Sequence, residues 1–510
     1  MPTQDKRFRL SQLCQRLLQH RNLILASNRG PIEYHTNQEG RLQWRRGSGG
    51  VVTALTAISQ YMDVTWVASA MGEGDRRAAE KAQWKRFKAP LPGHNLFLRF
   101  VVSPGNTYHK FYSIFCNPLL WYLQHYMWNS SHTPNIDSRV YDAWENGYKP
   151  VNQAIAEAVI AEALESDLPP LVMLHDYHLY LAAGYIREQI PNAIIQHFTH
   201  IPWPGPKYWQ LLPSVMRQAI CQNLCANDIV GLQTSVDVHN FLQTCEAFVD
   251  GAEVDYKKQS ILIDGRLVMV KAYPISVDVV NLRRAVQSPW VQGYEEKLRP
   301  LCNGKTIVRV DRMEPSKNIV RGFKAFDLLL QRYPELLGKV TFLAFLVPSR
   351  THIRQYQRYA QEVTDIIKAI NEKYGNDEWQ PITVFYENNY AQALAGLRLY
   401  DVLLVNPVID GMNLVAKEGP AVNAFDGVLV LSETAGAFEQ LGQNSLAVTP
   451  TDLEGTTEAI YKALSMPPEE RSKRAAALRK SIEEEDIAWW LYRQLEDLTA
   501  LAQEQLQRAI

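Results

Sequence analysis

Cysteine is scarce, with six in 510 residues, unevenly spaced. That is too few for a disulfide scaffold and suits a reducing, cytoplasmic setting. Cys221 and Cys225 lie one helical turn apart, but no second pair completes a zinc site, so they read as structural thiols. Excess charge of one sign is missing as well. Lysine and arginine total 53 against 54 acidic residues, a formal net charge of −1, which argues against a general binder of nucleic acid or of membrane surfaces. Long apolar runs are absent; stretches such as Val340 to Pro348 fall well short of the roughly 18 residues a membrane span needs. Residues 1–9 are largely polar, with no apolar core of an export signal. Low-complexity tracts and long Pro/Gly/Ser linkers are missing too. What remains is ordinary: 46% hydrophobic and 21% charged residues, the balance of a globular chain long enough for two or three domains.

Short apolar runs recur, each ending in a polar cluster. Asn22 to Ser27 leads into Asn28-Arg29-Gly30-Pro31, and Val64 to Ala70 into Met71-Gly72-Glu73-Gly74. Leu171 to Leu174 leads into His175-Asp176-Tyr177-His178, Ala193 to Phe198 into Thr199-His200-Ile201-Pro202, and Ile229 to Leu232 into Gln233-Thr234-Ser235. Each reads as a buried strand feeding a loop, with helices at Val151 to Glu165 and Tyr180 to Glu188. A second series follows Tyr273-Pro274-Ile275: Lys305 to Val310, Val340 to Val347, Ile382 to Phe385, Val402 to Asn406 and Gly427 to Leu431. Glu483 to Ile510 is helical in character, with Trp489 and Trp490 as packing anchors. Strands alternating with helices predict an α/β fold with parallel sheets covered on both faces. Two unequal Rossmann-like halves should form a cleft, with ligands beyond the carboxyl ends of the strands.

Several clusters could carry chemistry. The segment Arg309-Val310-Asp311-Arg312-Met313-Glu314-Pro315-Ser316-Lys317-Asn318 places two cations, Arg312 and Lys317, in a turn between a strand and a helix. A guanidinium can hold two phosphate oxygens and lysine adds a compact charge; taken alone, a solvated helix start is the plainer reading. Gly304-Lys305-Thr306 is no P-loop, because Arg299 stands where that motif needs glycine. In Asp410-Gly411-Met412-Asn413-Leu414-Val415-Ala416-Lys417-Glu418 a turn runs into a helix whose first N–H groups would favour an anion. Glu418, about two turns in, could accept hydrogen bonds from ribose hydroxyls. His175/His178 and His197/His200 have loose metal spacing but no adjacent acidic ligand, so bonding to a sugar or to backbone is the better reading. Asp410, Glu418, Glu433 and Glu439 could be imagined as a glycosidase pair, yet nothing sets two of them across one bond. At Ser48-Gly49-Gly50-Val51-Val52 paired glycines precede an apolar helix and would let backbone amides approach a phosphate or sugar, or simply pack closely. The aromatics from Tyr112 to Trp121 could stack on a sugar, though a core is the commoner fate.

Taken in this order, the segments resemble the trehalose-6-phosphate synthase family of retaining glycosyltransferases. The similarity runs from Ser27-Asn28-Arg29 to the last helix, and rests on His175-Asp176-Tyr177-His178, His200-Ile201-Pro202, the Arg312 to Lys317 loop and Asp410 to Glu418. The resemblance implies a GT-B fold: residues 1–273 an acceptor-binding Rossmann-like domain, 274–485 a nucleotide-sugar-binding Rossmann domain, and 486–510 a helix returning to the first. It implies that Arg312 and Lys317 grip the donor diphosphate, Glu418 the ribose, and Gly49 and Gly50 close on the phosphate. Asp410, Gly411, Met412, Asn413, Leu414 and Val415 would lie beside the donor glucose, with His175 on its other side. Arg312, Lys317, His175 and Asp410 are thus the expected catalytic residues. Arg29, Tyr112, Trp121, Asn146 and Arg350 are the expected acceptor contacts. Transfer with retention would proceed on one face without a protein nucleophile, the departing phosphate taking the acceptor proton, with no cofactor and no metal.

Three positions depart from the family pattern. The loop reads Met313-Glu314-Pro315-Ser316-Lys317-Asn318 where Asp-Tyr before Ser-Lys and Gly after it are usual; Asn146 replaces an acidic acceptor contact; and Ser276 stands where glycine is usual. The loop variant resembles a branch that includes GDP-sugar-using synthases and a pseudo-glycosyltransferase. The expected reaction is glucose transfer from UDP- or GDP-glucose to glucose 6-phosphate, giving α,α-trehalose 6-phosphate. A same-fold transferase or pseudo-glycosyltransferase with another phosphorylated acceptor, and a silent sugar-phosphate sensor, are the alternatives. A separate trehalose-phosphate phosphatase would act downstream, and a homo-oligomer is compatible with everything above.

Overall fold

A computed structural model describes residues 3–18, 20–47, 55–60 and 62–509. The chain forms two compact units, Met1–Pro274 with Ala488–Ile510, and Ile275–Ile487.

The strands of the first unit are β1 (Asn22–Ser27), β2 (Ile32–Thr36), β3 (Leu42–Arg46), β4 (Val64–Ser69), β5 (Phe87–Lys88), β6 (Leu96–Val101), β7 (Pro170–His175), β8 (Ile194–Phe198), β9 (Ile229–Leu232), β10 (Glu253–Asp255), β11 (Ser260–Ile263) and β12 (Arg266–Ala272). Ten of them make one sheet in the order β10-β11-β12-β9-β8-β7-β1-β4-β6-β5, while β2 and β3 pair separately. The segment from β12 to β6 is parallel throughout. β1, β4, β7, β8 and β9 are buried along almost their whole length, as strands of a sheet covered on both faces are. The hairpin β2–β3 and the antiparallel turn-back β10–β11–β12 escaped the sequence reading: β2, β3, β10 and β11 are short and only partly buried, and in β12 only Val268 and Val270 are buried.

The last helix, Ile487–Ala509, contributes to this unit. Trp490 is buried and donates its indole N–H to the Tyr273 carbonyl at 3.0 Å, and Gln196 donates to Gln494 at 2.7 Å in the interior. Trp489 is only partly buried. The chain is not helical throughout from Glu483: one helix ends at Glu484 and the next begins at Ile487.

The second unit holds β13 (Lys305–Arg312), β14 (Val340–Val347), β15 (Ile382–Phe385), β16 (Val402–Val405), β17 (Val428–Ser432) and β18 (Leu446–Val448). They form a parallel sheet in the order β15-β14-β13-β16-β17-β18. The order reverses between β13 and β16, which opens a crevice beyond their carboxyl ends. Register then decides what meets there. Arg312 lies opposite Val347, so the loop after β13 and the loop carrying Ser349 and Arg350 start side by side. An apolar core of Ile307, Phe323, Phe326, Leu329, Phe342 and Ile382, among others, fixes that register from below.

Candidate functional site

In the second unit the loops after β13, β14 and β16 converge. Val408 N–H donates to the Ser316 carbonyl at 2.8 Å, stitching the first loop to the third. Lys317 and Asp410 form an ion pair, with side chains only 11% and 14% exposed. Asn413 donates to the same Asp410 oxygen at 3.1 Å, and its own amide oxygen receives the Ala416 N–H at 3.2 Å. The Asp410–Gly411 turn is braced by Gly436, where any Cβ would fall 1.9 Å from the Gly411 carbonyl oxygen; only glycine fits so close an approach. Gly411, Met412 and Asn413 are buried, and Leu414 and Val415 partly so. The helix starts later than the sequence suggested, spanning Val415–Val422, so Glu418 sits in its first turn and not two turns in. The reason is Asn413, whose φ of 73° stops helical geometry from extending back to Gly411.

Glu314 is the hub that sequence reasoning missed. It is fully buried, and its Oε1 accepts from Arg312 at 2.8 Å, Arg350 at 3.1 Å and Ser349 at 2.8 Å. Burial alone would raise its pKa; the guanidiniums of Arg312 and Arg350, with Lys317, overcome that and hold it at about 2. Arg350 therefore stands beside Arg312 in the second unit, and also donates to the Tyr356 hydroxyl at 2.6 Å. Arg312 is half-exposed, leaving its outer face to solvent. Burial raises Glu418 to about 7 against the opposing pull of the Tyr390 hydroxyl, which donates to it at 3.2 Å.

The first unit gathers another set. His175, at the end of β7, is fully buried; its Nδ1 lies 3.3 Å from His200 Nε2, and its Nε2 has no hydrogen-bond partner among the described residues. Burial, then the neighbouring His200 and His197, pushes the His175 pKa well down, and burial takes His197 and His200 to about 3. These imidazoles are neutral at physiological pH and can exchange hydrogen bonds without acting as cations. Tyr112 stacks on His178 (6.1 Å) and Tyr108 (5.8 Å). It belongs to an unusual π-helical stretch, Lys110–Leu120, and Asn146 to a second, Trp144–Tyr148; such wide turns recur at functional sites. Arg29 is half-exposed; burial pulls its pKa down, but Tyr112, Glu33 and Tyr108 together carry it above the ordinary value. Trp121 is buried, stacked on His125 at 4.0 Å. Asn146 is exposed and donates to Asp142 at 2.8 Å. Gly49 and Gly50 lie outside the described residues.

Four non-glycine residues of these motifs have left-handed backbone: Asp176 (φ 74°), Asn318 (57°), Arg350 (45°) and Asn413 (73°). Strain of that kind persists only where the surroundings impose it, and it clusters at functional sites. Asn318 explains one departure from the family pattern: a position that usually holds glycine is left-handed, and asparagine is the side chain that tolerates it. Cys221, Cys225 and Cys245 are buried free thiols. Among the described residues, no three His, Cys, Asp or Glu side chains are arranged to hold a metal ion, and no helix is long and apolar enough to cross a membrane.

Comparison with known proteins covers nearly the whole chain. The model of glycosyltransferase family 20 matches residues 21–500. A bifunctional trehalose-6-phosphate synthase/phosphatase from Thermoproteus tenax is 32% identical over 92% of this chain and 62% of its own. The chain spans 61% and 62% of the length of two curated relatives that it matches. Among solved structures, trehalose-6-phosphate from E. coli bound with UDP-2-fluoro glucose superposes with a TM-score of 0.80 at 26% identity, covering 94% of this chain and 98% of the other. An α,α-trehalose-phosphate synthase (UDP-forming) from Burkholderia xenovorans in complex with glucose-6-phosphate gives 0.79 at 26% identity, covering 94% and 100%.

Proposed function

Because the chain belongs to glycosyltransferase family 20, we propose that it transfers glucose, with retention of configuration, from UDP- or GDP-glucose to glucose 6-phosphate. The products are α,α-trehalose 6-phosphate and the nucleoside diphosphate. The observation that carries this reading is the meeting of two loops in the second unit, where Lys317 pairs with Asp410 and the Val408 N–H donates to the Ser316 carbonyl, on the loop that also begins with Arg312. Relatives named as synthases, and structures bound with UDP-2-fluoro glucose and with glucose-6-phosphate, support it.

The residues act as follows. As the glycosidic bond to the nucleotide breaks, negative charge grows on the diphosphate oxygens. Arg312 and Lys317 are already ordered by Glu314 and Asp410, so they stabilise that charge with little reorganisation. The diphosphate competes with Asp410 for Lys317, releasing Asp410 and the amides of Gly411, Met412, Asn413, Leu414 and Val415 to bind the donor glucose. Glu418, as a carboxylate, accepts from the ribose hydroxyls. His175 offers a neutral imidazole nitrogen to the glucose. Arg29, Tyr112, Trp121, Asn146 and Arg350 are the residues proposed for the acceptor, with the half-exposed Arg29 guanidinium suited to its phosphate. No carboxylate attacks the sugar; the departing phosphate accepts the proton of the incoming hydroxyl.

The test offers purified protein UDP-, GDP- or ADP-glucose, each with and without glucose 6-phosphate, and identifies the product by mass and NMR. Acceptor-dependent release of nucleoside diphosphate with an α,α-linked disaccharide phosphate is expected. Binding without release for every donor would overturn the reading.

A further inference from the structure

We propose that Arg309, which has no part in the site as read from the sequence, is the positioning residue of the Arg312–Lys317 loop, and that Gly322 is glycine to make room for it. The proposal rests on that loop being the diphosphate grip. Arg309 projects from β13 and is completely buried, a place arginine occupies only when fully paired. Its Nε and Nη2 donate to Asp311 Oδ2 at 3.0 and 2.7 Å. Nη2 also reaches the Lys317 carbonyl at 3.1 Å and the Asn406 side-chain oxygen at 3.4 Å, and Nη1 reaches the Ile319 carbonyl at 3.3 Å. The guanidinium thus grips the backbone on either side of Asn318, the left-handed residue that directly follows Lys317. Asn318 is held from the other side by its own amide, which donates to the Asn406 and Pro450 carbonyls at 3.0 and 2.7 Å.

Gly322 lies on the first turn of the helix Ile319–Arg332, against this guanidinium. A Cβ there would stand 2.3 Å from Arg309 Nη1 and 3.3 Å from the Asn406 oxygen. The helix can approach the fork only without a side chain at that position. A planar fork with five donors is what one carboxylate and two carbonyls at these angles require; a lysine ammonium keeps the charge and cannot span them. The role is distinct from general packing because the carbonyls gripped belong to Lys317 and to the residue just past the turn.

The experiment compares wild type, Arg309→Lys, Gly322→Ala and the double variant. Probes are UDP against UMP and GDP against GMP by calorimetry, with kcat and donor KM in the transfer assay and circular dichroism as the check on folding. Arg309→Lys should fold, lose about tenfold in diphosphate affinity while monophosphate affinity changes by less than about twofold, and lose about a hundredfold in kcat. Gly322→Ala should show the same selective loss by pushing on the fork from the helix side, so it decides the matter if Arg309→Lys does not fold. The double variant should be no worse than the poorer single one, since both act on one fork. An unchanged diphosphate-to-monophosphate ratio in both single variants, or additive losses in the double, would overturn the proposal. A wild type that binds neither diphosphate would overturn the reading of the site as well; a wild type that binds while the variants match it would overturn only the role of Arg309.

Discussion

Lys317 and Asp410 stand 93 positions apart and form an ion pair at the centre of the candidate donor site. One comes from the loop after β13 and the other from the loop after β16, two strands that are neighbours in the sheet. The pair keeps a cation ordered and nearly buried before any substrate arrives.

That pairing separates two effects of mutation. Arg312→Ala should lower kcat by about a hundredfold or more with the fold intact, because the side chain is half-exposed and the proposed function sets it against the leaving group. Lys317→Met should lose turnover similarly and also cost about 3 kcal/mol of stability by removing the cation beside the largely buried Asp410 carboxylate, which keeps the hydrogen bond from Asn413. Adding Asp410→Asn should restore the stability and not the turnover. Urea denaturation beside initial rates checks all three; near-normal turnover in Arg312→Ala would remove it from the diphosphate grip.

Glu314→Gln should cost about 1–3 kcal/mol by weakening its bonds to two guanidiniums and a hydroxyl. The sign with pH follows from a carboxyl held at about 2 in the folded chain. A depressed pKa contributes stability above the unfolded value, near 4.5, and loses it as pH falls toward 2. The gap between wild type and variant should therefore be widest near neutrality and close in acid. A gap that widens on acidification would contradict the assignment.

Glu418 gives the opposite sign. Burial raises its carboxyl to about 7, so the form that accepts two ribose hydroxyl bonds is depleted as pH falls below 7. Donor KM should rise between pH 8 and 6, and Glu418→Gln should flatten that profile while raising KM throughout. The stability that this group contributes is present below about 4.5 and lost as pH rises through about 7. A KM that stays level in the wild type would sink the ribose role.

Asn318 separates conformation from hydrogen bonding. Gly at 318 keeps the left-handed backbone but abandons the Asn406 and Pro450 carbonyls; Ala loses both. Stability should fall in the order wild type, Asn318→Gly, Asn318→Ala, with the last down by about 2–3 kcal/mol. Chemical denaturation of the three proteins reads the order directly, and Gly at or above wild type would mean the side-chain bonds contribute nothing.

Much of this was legible from residues. β9 and β14 fall where the apolar runs put them, because a strand buried on both faces has little choice of composition, and the partly buried edge strand β15 does so as well. The loops rich in Arg, Lys, His and Asp follow the carboxyl ends of β7, β8, β13, β14 and β16, where a parallel sheet places its ligand-facing loops. Glu314 and Arg309 were not legible: a glutamate beside a proline and an arginine inside a strand carry no sign of burial until register brings Arg350 and Asn406 alongside.

The sequence by itself determined the family, the alternation of strand and helix, and the residues able to bear charge, since these depend on neighbours a few positions away. Tertiary structure alone decided which charges neutralise which. Arg312 and Arg350 share one carboxylate because Arg312 lies opposite Val347 in the register of β13 and β14, and Lys317 finds Asp410 because β16 lies beside β13. Coulomb attraction falls with distance and with solvent access, and both are set by the packing of the sheet, on which local sequence is silent.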